Sequence, residues 1–198
     1  ISLGYQHRGI ERALLGGPHP RTIHHVETLA GDTTIGHALA HAQAMEALAG
    51  CRVPARAQAL RAVALELERL ANHVGDLGAL AGDVGFLPTS SYCGRLRGDF
   101  LNMTALLCGN RFGRGFVRPG GLAFDVDAAL LADLRARLDD AFRDVAGAVN
   151  LLWDTASAMG RFENTGAVSR ATAVALGLVG PAARACGLEI DVRRDFPS

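Results

Sequence analysis

The segment from Pro54 to about Leu80 constrains the fold more than any other part of the chain. Apolar residues recur along it at the spacing of one helix face, and they are Leu60, Val63, Ala64, Leu67, Leu70, Ala71, Val74 and Leu77. Arginine and glutamate residues occupy many of the positions around them. A helix of about seven turns with such a face is stable only when the face is buried against other elements. The pattern therefore predicts a helical bundle built around this segment.

Other segments of the chain also have the composition and spacing of helices. They are residues 10–16, residues 34–48, residues 95–108, the stretch from Asp125 or Asp127 to about Ala158, and residues 169–176. Loops are predicted at residues 16–20, 109–121 and 177–187. Residues 1–5 and 188–192 are compatible with short β-strands. We therefore predict a mainly α fold, a helical bundle with short β segments at its ends.

The length of 198 residues suits a single domain. We expect one domain over residues 1–198, with a loop-rich opening at 1–33, a helical core at 34–158 and a loop-rich final part at 159–198. The chain begins with Ile1 and stops at Ser198 without a closing element. We therefore expect it to be an internal piece of a longer protein.

The charge balance removes the electrostatic argument for two classes of partner. All 20 basic residues are arginine, and they match 20 acidic residues, so the formal net charge is zero. This balance gives no electrostatic reason to expect binding to nucleic acid or to an anionic membrane surface. No run of 18 uncharged apolar residues is present, so no direct membrane span is expected.

The cysteines and one histidine pair are the first candidates for a metal site. The four cysteines, Cys51, Cys93, Cys108 and Cys186, are at least fifteen residues apart, which favours buried free thiols over a thiolate metal site. His37 and His41 lie at i and i+4 on one helix face, a spacing that can chelate a metal. Two packed or hydrogen-bonded histidines are the interpretation that the spacing alone favours.

Asp83 is the carboxylate of most interest, because it lies in a glycine-rich and largely apolar segment. An aspartate is costly to bury there without a partner. The simpler interpretation is a loop aspartate that accepts hydrogen bonds from nearby backbone N–H groups. Composition and spacing alone thus predict an α-rich domain and no particular activity.

Several sequence blocks resemble one protein family, and they occur in the order found in that family. They are residues 3–11 (G-Y-x-H-R-G-x-E), the helix of residues 54–73, the D-x-G turn of residues 83–85, the R-x-G-G loop of residues 117–121, and the D-x-R-R-x-x-P segment of residues 191–197. Together they resemble the large subunit of energy-converting (membrane-bound) nickel–iron hydrogenases and the homologous quinone-site subunit of respiratory complex I. The resemblance implies the helical bundle of the hydrogenase large-subunit type.

The same resemblance places the family's site in residues 27–37. The two positions of the family's nickel-binding cysteines are Ala30 and Thr33, so no nickel–iron site is expected, because nickel needs thiolate ligands there. Gly31 matches the hydrogenase glycine, and complex I has a quinone-binding tyrosine at this position. By position in the family, Gly31 and Arg118 are candidates for cofactor contacts. Asp83 matches a complex I aspartate, and it joins His37 and His41 as the candidate catalytic residues.

The resemblance implies a subunit of a multi-subunit, membrane-associated redox complex, of the NADH-quinone oxidoreductase or energy-converting hydrogenase kind. It would contribute a remodelled quinone or proton-coupling cavity, with an iron–sulfur subunit and membrane-arm subunits as partners. Quinone is possible in the intact complex, the iron–sulfur cluster would lie in a partner, and no cofactor is expected on this fragment. We expect the protein to be cytoplasmic and to associate peripherally with the inner membrane through its partner subunits. As an isolated fragment, this part of an oxidoreductase subunit is expected to be inactive. The alternatives are a non-catalytic structural subunit and an unrelated helical metal-binding domain that uses His37 and His41.

Overall fold

Helices make up nearly all the regular structure in residues 2–197, the part of the chain that the computed structural model describes. These residues form α1 (Ile10–Ala13), α2 (Thr22–Val26), α3 (Thr34–Ala49), α4 (Ala55–Asp83), α5 (Leu87–Cys108), α6 (Ala128–Trp153), α7 (Ala156–Met159), α8 (Arg170–Ala175), α9 (Gly180–Ala185) and α10 (Val192–Asp195). The mainly α fold predicted from the sequence is confirmed. None of these helices is both long and apolar enough to cross a membrane.

The start of α5 and the presence of α9 differ from the sequence predictions. Helix α5 begins at Leu87, eight residues before the predicted start, with Pro88 in its first turn. Proline is tolerated there because its missing N–H would have had no partner within the helix. The predicted loop of residues 177–187 contains α9, which also has a proline in its first turn.

The β structure lies in the middle of the chain and not at its ends. Strands β1 (Val117–Arg118) and β2 (Gly121–Leu122) pair antiparallel as a hairpin inside the predicted loop. The predicted strands at the two ends are wrong for the described residues: residues 2–5 are not in a strand, and Val192 begins a helix. Ile1 lies outside the described residues. A strand needs a neighbour for its backbone hydrogen bonds, and none pairs with residues 2–5 or 188–192.

The core forms where α4 packs against α5 on one side and α3 on the other, and α6 packs on α5. Most of the predicted stripe is buried, including Leu67 and Ala71, although Val63 remains 37% exposed. Gly78 lets α5 approach closely, because a Cβ there would lie 3.0 Å from the Cβ of Cys93. Thr89 joins α5 to α6 by a 2.8 Å hydrogen bond from its hydroxyl to the carbonyl of Ala148.

A buried ion pair links α3, α4 and the hairpin. The Arg61 Nη2 of α4 lies 2.6 Å from the Glu46 Oε1 of α3, and both side chains are at most 8% exposed. Arg61 also donates to the carbonyls of Arg118 and Gly121, at 2.6 Å and 2.9 Å from Nη2. The Gly120 N–H donates to Glu46 at 2.7 Å. The hydrogen bonds that Glu46 accepts, above all the one from Arg61, hold the pKa of Glu46 below its usual value.

A second close approach occurs at Gly113, in the segment before the hairpin. Its φ is +70°, and a Cβ would lie 2.4 Å from Ile35 Cδ1. We expect Gly113→Ala to lower the free energy of unfolding by about 2 kcal/mol, from a strained backbone and an overpacked core together. Denaturant unfolding measures this loss.

Gly109 is the matched control for that substitution. Its φ is +73°, but a Cβ there would meet no atom within 4 Å. Gly109→Ala should therefore cost only the backbone strain, about 1 kcal/mol. Equal losses for the two variants would contradict the packing explanation.

The described residues fall into two compact units, one that ends at Trp153 and one that begins at Asp154. The second unit has its own small core of Ala173, Ala183 and Leu188. Ser169 caps α8, accepting from the Thr172 N–H at 3.1 Å. The single domain predicted over the whole chain stays a prediction.

Candidate functional site

The turn between α2 and α3, at residues 28–33, is held from several sides. Arg8 donates to the carbonyls of Thr28 and Leu29, the latter at 3.0 Å. On the other side, Asn72 of α4 donates to the Asp32 carbonyl at 3.0 Å, and Arg97 of α5 lies 3.5 Å from the Asp32 carboxylate. Residues far apart in the chain therefore fix the path of this turn.

Glu68 of α4 caps the start of α3 from outside that helix. The Ile35 N–H donates to Glu68 Oε2 at 2.6 Å, and the Gly36 N–H donates to Oε1 at 2.9 Å. These are two of the N–H groups that a helix start leaves without a partner in the helix. Gly36 suits this cap, because a Cβ there would lie 3.2 Å from Glu68 Oε1 and would require that oxygen to shift.

Burial makes Glu68 a proton-binding group near neutral pH. Glu68 is 9% exposed, and desolvation raises the pKa of its carboxyl group to about 7. The two backbone hydrogen bonds act in the opposite direction and lower this pKa. The nearby charge of Asp32 adds to the rise. Sequence reasoning missed this residue. The available signal was its position, since Glu68 lies four residues after Ala64 and three before Ala71 on the buried stripe.

The two positions that the resemblance aligns with the family's nickel cysteines lie in this turn, and they carry no thiolate. Ala30 and Thr33 are half-buried, and the Thr33 hydroxyl is buried without a hydrogen-bond partner among the described residues. Gly31 is exposed, and a Cβ there would meet no atom within 4 Å. A methyl group and a hydroxyl do not fit nickel, which prefers thiolates in such sites. Residues 2–197 also hold no group of three or more His, Cys, Asp or Glu side chains arranged for a metal ion.

Asp83 lies at the end of α4, away from Asn72, the α4 residue that donates to this turn. It is exposed and is the last residue of α4, eleven residues after Asn72. At the rise of an α-helix this separation is about 16 Å along the axis. His37 is half-buried in the first turns of α3, close to the turn in sequence. The described residues therefore place Asp83 and His37 in separate surroundings.

His41 and Arg118 do come together, in a cavity of about 580 Å³. Its lining comes from the loop before α2, from α2, from α3 and from the hairpin, and includes His19, His24 and Met45. On α3, His41 and Met45 lie one turn apart on a side of the helix different from the core positions Ile35, Leu39 and Ala42. Sequence reasoning had picked both His41 and Arg118 without pairing them.

Comparisons with known proteins agree on one family. The family model described as "Respiratory-chain NADH dehydrogenase, 49 Kd subunit" matches residues 83–198. The chain is 30% identical over 195 residues to an NADH-quinone oxidoreductase subunit of Clostridium beijerinckii, covering 98% of this chain and 53% of that protein. It is 33% identical over 199 residues to the NADH-quinone oxidoreductase subunit of the same kind from Rhizorhabdus wittichii, covering 98% and 48%. The chain thus spans about half the length of the curated relatives it matches.

A solved structure shares the fold. It is described as the membrane-bound sulfane sulfur reductase, an archaeal respiratory membrane complex, and it matches with a TM-score of 0.90 and 24% identity. The match covers 98% of this chain and 52% of that one. The bundle described above is therefore a known architecture. The sequence matches to the family model and to the relatives show that the alternative of a chain unrelated to this family is wrong.

Proposed function

Because the chain belongs to the family of the 49 kDa subunit of respiratory-chain NADH dehydrogenase, we propose that it is part of a subunit of a membrane-associated redox complex. In that complex Glu68 and the turn of residues 28–33 couple proton binding to electron transfer. The observation that carries this proposal is the buried Glu68 carboxylate, bonded to the first turn of α3 at 2.6 and 2.9 Å. By the resemblance, the family's site falls in residues 27–37, and the two N–H groups that donate to this carboxylate belong to residues 35 and 36.

The carboxylate can exchange one proton with a defined structural result. When ionised, both Glu68 oxygens accept an N–H from α3. A proton turns one oxygen into a donor, so that oxygen is a much poorer acceptor for the N–H that faces it. Additional negative charge near the turn raises the pKa of Glu68 further and favours proton uptake. Proton binding is thereby tied to the cap of α3 and to the turn that precedes it.

The cofactors and partners of this function follow from the relatives and are proposals. The relatives' name supports a quinone as acceptor in the intact complex. An iron–sulfur subunit would bring electrons to the site, and membrane-arm subunits would attach the complex peripherally to the membrane. The donor set at Ala30 and Thr33 gives nickel no role in this mechanism.

The other residues picked from the sequence keep their proposed roles. Asp83 and His37 would be proton-exchanging groups of the assembled cavity, with His41 further along α3. Gly31 has no side chain, so it would leave space for the acceptor and would not donate a side-chain hydrogen bond to it. Turnover of the intact complex that is unchanged in both Asp83→Ala and His37→Ala would exclude these two residues from the mechanism.

Redox-difference infrared spectroscopy of the intact complex tests the role of Glu68. We expect electrochemical reduction to change the carboxyl band of a protonated glutamate, with a pH dependence centred near 7. Glu68→Gln should abolish this band and lower turnover at least about a hundredfold, the size of a lost proton-transfer group. The infrared band, unlike turnover, can be measured without knowing the natural electron donor.

Asp76→Asn is the matched control, because Asp76 is an exposed carboxylate on the same helix. This variant should keep both the band and the turnover. A band that persists in Glu68→Gln would show that another group takes the proton. Unchanged turnover in Glu68→Gln would instead favour the non-catalytic structural role for the subunit.

A further inference from the structure

The cavity shared by His41 and Arg118 has a basic lining. Four of its side chains carry N–H groups that can donate to an anion: His19, His24, His41 and Arg118. No aspartate or glutamate is among the described residues that line it. Its volume of about 580 Å³ lies in the range of small-molecule sites.

The Arg118 guanidinium is available for a ligand. The alternation of the strand buries Val117 in the core and leaves Arg118 half-buried on the other side. The hairpin contributes the Arg118 carbonyl to the contact with Arg61, but the Arg118 side chain makes no hydrogen bond or ion pair with any described residue. By contrast, Arg56 and Arg61 on α4 each have a carboxylate partner.

The histidines of the lining provide further hydrogen-bonding groups. His19 Nδ1 accepts the Arg21 N–H at 3.1 Å, so the neutral ring carries its proton on Nε2 and can donate from there. His41 makes no hydrogen bond with a described residue. His24 Nδ1 lies 3.5 Å from Glu27 Oε2, which leaves its Nε2 for another partner.

Glu27 is a buried carboxylate that contacts one of these histidines, His24, through Nδ1 alone. Its side chain is 4% exposed, and its Oε1 accepts the Gly115 N–H at 2.7 Å. The side chains of Arg118 and His41 have no carboxylate partner among the described residues. A guanidinium in this situation matches the two oxygens of a carboxylate or phosphate group.

We propose that this cavity binds a small ligand through a phosphate or carboxylate group, held by Arg118 with His41 beside it. The ligand's oxygens accept from the guanidinium and from the imidazoles, and no covalent step is involved. Several prolines, Pro18, Pro20 and Pro119, stiffen the lining, and Arg61 and Glu46 fix the hairpin that carries Arg118. This site is independent of the proton coupling proposed for Glu68.

Isothermal titration of the full chain with inorganic phosphate and with succinate tests the site. We expect saturable binding of at least one anion at one site, and no binding of the neutral succinamide. Arg118→Gln should raise the dissociation constant at least about tenfold, because it removes the charge-assisted hydrogen bonds. Arg118→Lys keeps the charge but not the planar fork, so its loss should be smaller.

Arg114→Gln is the matched control, since Arg114 lies in the same glycine-rich segment, is exposed and is not part of the lining. It should change the dissociation constant by less than about twofold, because the charge of an exposed arginine is screened. Equal weakening by Arg118→Gln and Arg114→Gln would mean an adventitious ion only, and would overturn the proposal. Binding of an acidic peptide but of neither small anion would make the cavity a protein-docking surface, and would overturn it as well.

Discussion

Replacing Arg61 by alanine is expected to lower the free energy of unfolding by about 3–5 kcal/mol, the usual cost of removing one partner of a buried ion pair. The loss is large because Glu46 stays behind, at most 8% exposed and without its guanidinium. The carbonyls of Arg118 and Gly121 lose a donor in the same step. Denaturant unfolding of wild type and variant gives the difference.

Arg56→Ala is the control for this measurement. Arg56 lies on the same helix and pairs with Asp125 at 2.8 Å, but the two side chains are 56% and 66% exposed. An exposed pair of this kind contributes about 1 kcal/mol or less. If Arg61→Ala cost no more than Arg56→Ala, the buried pair would not be what holds the hairpin against α3 and α4.

The second large effect is a dependence of stability on pH that comes from Glu68. Its pKa is raised from 4.5 to about 7 in the folded protein, so between these values the folded state binds more protons than the unfolded state. The contribution of Glu68 to stability is then fully present below pH 4.5 and is lost as pH rises through 7. At about 1.4 kcal/mol for each unit of pKa, the loss amounts to about 3 kcal/mol.

The difference between wild type and Glu68→Gln isolates this effect. Other carboxylates act with the opposite sign, because hydrogen bonds from Arg61 to Glu46 and from Arg56 to Asp125 lower the pKa of these groups. Their stabilisation is lost as pH falls, and both proteins share it. We expect the unfolding free energy of wild type to fall relative to that of Glu68→Gln between about pH 4.5 and 7.5. Parallel curves for the two proteins would contradict a raised pKa at Glu68.

The parts of the fold that were predictable depend on local pattern. The stripe of α4 was readable because burial repeats with the period of a helix. The start of α5 was missed because Leu87 and Pro88 follow a glycine-rich segment and resemble a loop, although proline suits a first helical turn. The end strands were wrong because β propensity does not provide a pairing partner.

The candidate site depends on contacts that no local pattern contains. Glu68 was overlooked because a glutamate beside arginines on a helix usually lies in solvent, and only the N–H groups of α3 make it a cap. His41 and Arg118 share a cavity although 77 residues separate them in the chain. The resemblance to the family picked out Asp83, but the exposure of Asp83 depends on where α4 ends, which the sequence pattern does not determine.

The hairpin and the segment before it are anchored by partners remote in sequence. Gly115 bonds to a residue 88 positions away, Gly120 to one 74 positions away, and the Arg118 carbonyl to one 57 positions away. Each anchor closes a long loop, and the entropy of that closure must be offset by the contacts that the loop brings together. We expect such long-range contacts to form later in folding than the turns within each helix. We therefore expect the cavity that carries Arg118 to be completed late, on a frame that the helices have already built.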